Sequence, residues 1–389
     1  MAAMHRSERE PTSLHGPVVS GPFTIAVPES DLADLRRRLA QTRWPVDAPD
    51  VGRRYGAGIA DVQRLVELWK VHDWRVTEAR LARHEHVRVD CGGQLLHAMR
   101  VRADVPAGTV LLLHGWPSSF LEMLDLAESL SRPEPVGYDV IVASLPGFPL
   151  SGPRSVPAPS GAHLARMLLH LLDTLGVDRV WIHAYDVAAG PGVRMALAAP
   201  DRVLGYHTTE AGLPRADWPR DALTGTEAEY LHFADEWDRD EGGYMALLST
   251  RPQTLAYGLT DSPAGLAAWL FEKWRAWTLQ PGHEWDWDAP LTRTLLDTLT
   301  LYWVTGAIAG ANRTYFSADV AATAIRTDDQ VTQPVGVART TQAIERAPRE
   351  LAERLFPNIR VWNDLGTGGH FVAAERPDLL AASIRRLIH

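Results

Sequence analysis

From Phe23 to about His84 the apolar residues recur three or four positions apart. DLADLRRRLAQ, with Ser30 as its expected N-cap, and DVQRLVELWKVH both read as helices with one buried face. The period then falls to two. HVRVDC and QLLHAMRV alternate as strands, and TVLLLHG and YDVIVASLPG are short apolar runs bounded by glycine. LEMLDLAESL, HLARMLLHLLDTL and GVRMALAA return to helical spacing between the strands. That alternation predicts an α/β architecture, a mostly parallel sheet wrapped on both faces. From Pro214 to Asp319 the rhythm is mainly helical, after which QPVGVART and NIRVWNDL resume as strands and LLAASIRRLI closes as a helix. The economical layout is a flexible leader (1–22), an N-terminal helical extension (23–90), a core in two parts (91–213 and 320–389) and a helical cap inserted between them (214–319).

Composition narrows the function classes. Of 389 residues, 46% are hydrophobic and 22% charged, the balance of a chain able to bury a large core. The formal charge of −9 argues against a nucleic-acid or anionic-membrane surface, which needs clustered basic residues. Cys91 is the single cysteine, so an intrachain disulfide and a multi-cysteine metal site are both excluded. The leader lacks the apolar stretch of a secretory signal and no later run is long enough to span a bilayer, so a cytoplasmic protein is expected. Assembly into a homo-oligomer is left open by the sequence.

The chemistry concentrates at three places. In RVWIHAYDVAAG a strand runs into a helix through Ala184, Tyr185, Asp186, Val187 and Ala188, with small residues two positions on either side of Asp186. This is the pattern of a nucleophile elbow, whose tight turn lifts the central side chain above the sheet. A carboxylate there is a nucleophile that needs no base to activate it; the competing reading is an ordinary helix N-cap. LLLHGWP, some 70 residues earlier, ends a strand where backbone N–H groups of Trp116 and Val187 could hold developing negative charge. GTGGHF places His370 in a glycine-rich loop after the last strand, where the general base of such a fold belongs.

With these motifs the chain resembles the microsomal-type epoxide hydrolases of the α/β-hydrolase superfamily. The likeness runs from Phe23 onward and includes RWP (43–45), DWRVTEARL, HGWP, SLPGF (144–148), RPQTLAYGLTDSPAGLAAWLFEKW, LYWVTG (301–306) and GGHF. It implies a reaction in two steps: Asp186 attacks an epoxide carbon to form an ester, and water activated by His370 hydrolyses it. It also implies that Tyr244, in EGGYMALL, and Tyr315, in ANRTYFS, donate hydrogen bonds to the epoxide oxygen. Phenols stay protonated at neutral pH and can serve that role.

Departures from the family pattern accompany the likeness. Where the resemblance implies a carboxylate to orient His370, GVARTTQAIERAPR carries Ala343, leaving Glu345 and Glu210 as substitute acids. Val187 stands where relatives have Trp, which argues against halide chemistry. Tyr185 stands where Gly is usual and is expected to reshape the pocket floor beside Trp116. The cap is rich in aromatics, among them Trp218, Trp237, Trp269, Trp274, Trp277, Trp285, Trp287 and Trp303, which favour a bulky hydrophobic epoxide or polycyclic substrate. No cofactor and no metal motif is read. The rival to hydrolysis is a rearrangement, cyclisation or coupling of specialised metabolism, suited to a site without a triad acid; a silent binding protein is the remaining alternative.

Overall fold

The computed structural model describes residues 20–46, 52–153, 160–211, 223–278, 283–316, 325, 328–341 and 346–389. The chain begins its sheet early, with β1 (Gly21–Pro22), so the end of the expected leader is already strand. Three helices follow, α1 (Glu29–Ala40), α2 (Ile59–Val71) and α3 (Trp74–Leu81). Ser30 is not the cap of α1. The helix starts at Glu29 behind Pro28, whose carbonyl accepts the N–H groups of Asp31 and Leu32, and the Ser30 hydroxyl turns to Asp31 instead. The rigid φ of proline sets up the entry in place of a side-chain cap.

Eight further strands complete the sheet. They are β2 (Glu85–Asp90), β3 (Leu95–Val101), β4 (Pro106–Leu113), β5 (Gly137–Ala143), β6 (Val180–Ala184), β7 (Val203–Thr208), β8 (Val335–Arg339) and β9 (Ile359–Asp364). The helical part of the 23–90 extension thus ends at Leu81, and its last six residues are sheet. The spatial order is β1-β2-β3-β5-β4-β6-β7-β8-β9. From β5 to β9 all neighbours are parallel, whereas β1, β2 and β3 join antiparallel at one edge. The chain places β5 on one side of β4 and β6 on the other, and an open sheet of this kind forms its crevice beyond the carboxyl ends of such strands.

The unbroken apolar runs follow from burial on both faces. Leu111 and Leu113 of β4 enter one core, while Val110 and Leu112 enter the other. Helices α5 (Gly161–Thr174) and α6 (Ala189–Ala198) cover the first face; α4 (Leu124–Ser131) and the closing helix Pro377–Ile388 cover the second. Between β7 and β8 lie α7 (Gly225–Glu241), α8 (Gly243–Thr250), α9 (Pro252–Asp261), α10 (Pro263–Thr278), α11 (Pro290–Thr305) and the short α12 (Ile308–Asn312). Thr224 and Glu227 start α7 as a reciprocal capping box. No helix among the described residues is long and apolar enough to cross a membrane.

The N-terminal extension is pinned to this helical layer. Trp69 of α2 is 2% exposed and its indole Nε1 donates to Thr300 Oγ1 of α11 at 2.8 Å. Asp297, one turn earlier, accepts from Thr77 Oγ1 and lies 2.7 Å from His72 Nε2. Removing the indole opens a large cavity at this junction, so Trp69→Ala is expected to lower stability by about 3–5 kcal/mol. Urea unfolding measures it; a loss below about 1 kcal/mol would mean that the junction is not tied through Trp69.

Candidate active site

Four strand ends bring the expected residues together. Trp116 follows β4, Asp186 follows β6, Glu210 follows β7 and His370 follows β9. Asp186 has φ +53, a left-handed conformation that a non-glycine residue adopts under constraint. The flanking Ala184 and Ala188 are fully buried, as the tight turn requires. Gly115 permits the approach of the neighbouring loop, because a Cβ there would sit 2.6 Å from Asp186 Cβ and 2.8 Å from its Oδ1. The turn aims the carboxylate at the neighbouring loop, where Trp116 N–H reaches Oδ1 at 2.7 Å, and the adjacent Val187 N–H helps lower the carboxyl pKa.

A methyl group at position 115 would have to displace that carboxylate. Gly115→Ala is expected to slow nucleophilic attack by about 10² or more while leaving the fold intact, since a misplacement near 1 Å has that effect. Single-turnover kinetics alongside circular dichroism checks it, and an unchanged rate would mean that the Gly115–Asp186 contact is not needed.

His370 is held between two carboxylates. Its Nε2 lies 3.5 Å from Asp186 Oδ2, and its Nδ1 lies 3.2 Å from Glu210 Oε1. The other Glu210 oxygen accepts the backbone N–H of Asp186 at 2.7 Å, so one side chain orients the imidazole and braces the elbow. The loop is fixed by His370 N–H donating to the carbonyl of Trp277 at 2.8 Å. A Cβ on Gly369 would lie 2.4 Å from that same carbonyl, which explains the glycine before His370. Ala343 and Glu345 lie outside the described residues.

Burial sets the charge states. The Asp186 carboxyl is pushed up to about 6, chiefly by loss of solvent, with His370 opposing and Glu210 adding to the rise. Asp186 is therefore mostly ionised at neutral pH, though less acidic than an exposed aspartate. Glu210 is raised to about 7 by the same burial, opposed by the Asp186 N–H. Donor atoms of Asp186, Glu210 and His370 lie within 4.8 Å of one another, close enough to suggest a metal set. Each carboxylate is nevertheless already engaged by a backbone N–H, and one imidazole nitrogen faces Glu210, so the donor set fits an imidazole held between two carboxylates better than a metal cage.

Aromatic side chains surround the carboxylate. The Tyr244 ring stacks on Trp116 with centroids 4.9 Å apart and planes 4° from parallel, while Tyr315 meets Trp116 edge-on at 5.3 Å. The two tyrosine rings meet edge-on at 5.4 Å, and both phenols are held well above the usual tyrosine range by burial first and by the Asp186 charge next. Trp269 and Trp277 approach Trp116 at 6.2 and 6.1 Å, and Trp277 also lies 5.0 Å from His370. Trp237 stands behind Trp277, whereas Trp274 stacks on Phe371 and Trp285 and Trp287 pack around Phe271. Trp303 is contacted by Arg38 of α1, and Trp218 lies outside the described residues.

Tyr185 is 1% exposed, belongs to the second core, and donates its hydroxyl to the buried Glu122. Its ring meets His370 edge-on at 5.3 Å, which gives it a contact with the site through the imidazole. A buried phenol needs an acceptor, and Glu122 supplies one. Sequence reading also passed over Asn312, whose Oδ1 accepts from Trp116 Nε1 at 3.0 Å and fixes the indole plane. Its one signal was its position three residues before Tyr315.

An aspartate elbow, paired backbone donors and a late-loop histidine at the carboxyl ends of a mostly parallel sheet define an α/β-hydrolase that carries a carboxylate in the nucleophile position. Residues 108–375 match the family described as alpha/beta hydrolase fold, and residues 20–123 match the epoxide hydrolase N terminus. A Stigmatella aurantiaca protein named "Putative epoxide hydrolase" is 35% identical over 94% of this chain and 83% of its own. The juvenile hormone epoxide hydrolase of the silkworm Bombyx mori superposes with a TM-score of 0.85 at 26% identity, covering 96% of this chain and 94% of that one. The Aspergillus niger epoxide hydrolase superposes at 0.80 and 25%, over 95% and 96%. The chain belongs to the epoxide hydrolase family of the α/β-hydrolase superfamily and is an enzyme of that type.

Proposed function

We propose that this enzyme hydrolyses the epoxide of a bulky apolar molecule through a covalent ester on Asp186. Oδ1 is held by the Trp116 N–H, leaving Oδ2, which faces His370, to attack the epoxide carbon. The carbon–oxygen bond breaks, its electron pair moves to oxygen, and Tyr244 and Tyr315 donate to the alkoxide as it forms. Water then gives a proton to His370 as it adds to the ester carbonyl, whose oxyanion returns to the Trp116 and Val187 N–H groups. Collapse expels the ester oxygen, which takes the proton held by His370, while the second proton of the water passes to the first alkoxide; the Asp186 carboxylate is restored and a diol released. Glu210 acts as the acid of the triad, keeping the His370 proton on Nδ1 and balancing the imidazolium.

The observation that carries this reading is the line from Glu210 Oε1 to His370 Nδ1 at 3.2 Å and from Nε2 to Asp186 Oδ2 at 3.5 Å. A non-hydrolytic rearrangement was attractive while the base lacked a partner; Glu210 removes that reason. The aromatic surroundings formed by Trp116, Tyr244, Tyr315, Trp269 and Trp277 favour a large apolar substrate.

Intact mass spectrometry in ¹⁸O-enriched water tests the route. One turnover should leave label in Asp186 and none in the diol, with label reaching the diol in later turnovers. Label entering the diol directly would rule out the ester. Ester formation should also fall as pH drops through about 6, because the carboxyl must lose its proton to attack and its burial raises that threshold. A pH-independent rate of ester formation between 5 and 8 would contradict the assignment of Asp186.

A further inference from the structure

Lys273 of α10 is 5% exposed, an uncommon place for an ammonium group. Its outer side meets two carboxylates, Glu272 Oε1 at 2.7 Å and Glu241 Oε2 at 3.2 Å. Its inner side meets aromatic rings, with Nζ 5.2 Å from the centroid of Tyr244 and 5.9 Å from that of Trp277. The same ring is stacked on Trp116, so Tyr244 is in contact with both the indole and the ammonium. Surface pairing alone does not call for this burial, because Glu241 and Glu272 are 38% and 34% exposed and such pairs contribute little.

The surroundings of Tyr244 give the contact a purpose. Asp186, Glu210 and Asp238 all bear negative charge on this phenol, and Tyr315 is its hydrogen-bond partner. Burial first, and the charge of Asp186 next, strengthen the hold of the phenol on its proton and make it a poorer donor to a developing alkoxide. A cation against the ring face works in the opposite direction, and Glu241 and Glu272 temper it from outside. We propose that Lys273 is a positioning residue for ring opening, holding the Tyr244 ring in place and strengthening its O–H as a donor to the epoxide oxygen. This rests on the donor role proposed above for Tyr244.

The test is a double-mutant cycle on single-turnover ester formation, with a panel of aryl-substituted epoxides including styrene oxide. Lys273→Met should slow ester formation about tenfold, within the range of a desolvated cation–ring contact, and leave ester breakdown unchanged. Lys273→Arg should stay within about threefold of the native rate, since it keeps the charge. In a Tyr244→Phe background the Lys273→Met loss should shrink below about twofold, because the hydroxyl it acts on is gone. Equal losses in both backgrounds, or equal slowing of both chemical steps, would mean support of the fold only and would overturn the proposal. So would a native rate in Lys273→Met. Should that variant fail to fold, Lys273→Gln removes the charge while keeping a donor to the carboxylates and is read the same way. A native enzyme that forms no ester, or a Tyr244→Phe variant that forms it at full rate, would instead bring down the role of Tyr244, and this inference with it.

Discussion

Glu210→Gln is expected to trap the enzyme as its ester. Glutamine keeps the shape of the side chain but can satisfy only one of its two neighbours with an oxygen. Either the Asp186 N–H or the His370 Nδ1–H then loses its acceptor, where the native carboxylate serves both at 2.7 and 3.2 Å. The imidazole also loses the negative charge that supports it as it takes a proton from water. In serine triads the equivalent change costs about 10⁴ in turnover, and a fall of about 10³–10⁴ is expected here for ester breakdown. Ester formation needs no base and should change by less than about tenfold. Intact mass would then show a lasting adduct, and Glu345→Gln should leave both steps alone. Breakdown of the Glu210→Gln ester within tenfold of the native rate would exclude Glu210 as the orienting acid.

Asp186→Asn is expected to remove the chemistry altogether. The amide is nearly isosteric and can still accept from Trp116 N–H through its oxygen, so binding and fold should survive. What disappears is the negative charge of the carboxylate, whose Oδ2 faces His370 at 3.5 Å. A neutral amide is a very poor nucleophile, and loss of a nucleophile that acts within a unit lowers turnover by about 10⁴–10⁶. No adduct should form and diol production should fall to background. Diol formation within about a hundredfold of native by this variant would require a route in which His370 directs water onto the epoxide itself.

The elements that sequence reading recovered are those set by local pattern. Strand, tight turn and helix follow one another within a dozen residues around Asp186, and the demand for Ala184 and Ala188 can be seen in the same stretch. The glycines before His370 are local too, though the carbonyl that forces one of them belongs to Trp277. What was not legible depends on which strand ends lie side by side. Glu210 and Glu345 were equal candidates until β7 was placed between β6 and β8, which sets Glu210 next to both Asp186 and His370. The Tyr185 contact with Glu122 spans 63 positions, and that of Lys273 with Tyr244 joins α10 to α8. Neither leaves a periodic trace. At Ser30 a local rule misled, because Pro28 had already begun the helix.

With the proposed acid at the tip of β7, the reaction asks no carboxylate of position 343, where this chain carries Ala. Under that proposal the orientation of the imidazole depends on the Thr208–Glu210 corner, where the threonine hydroxyl and the glutamate backbone bind each other in both directions.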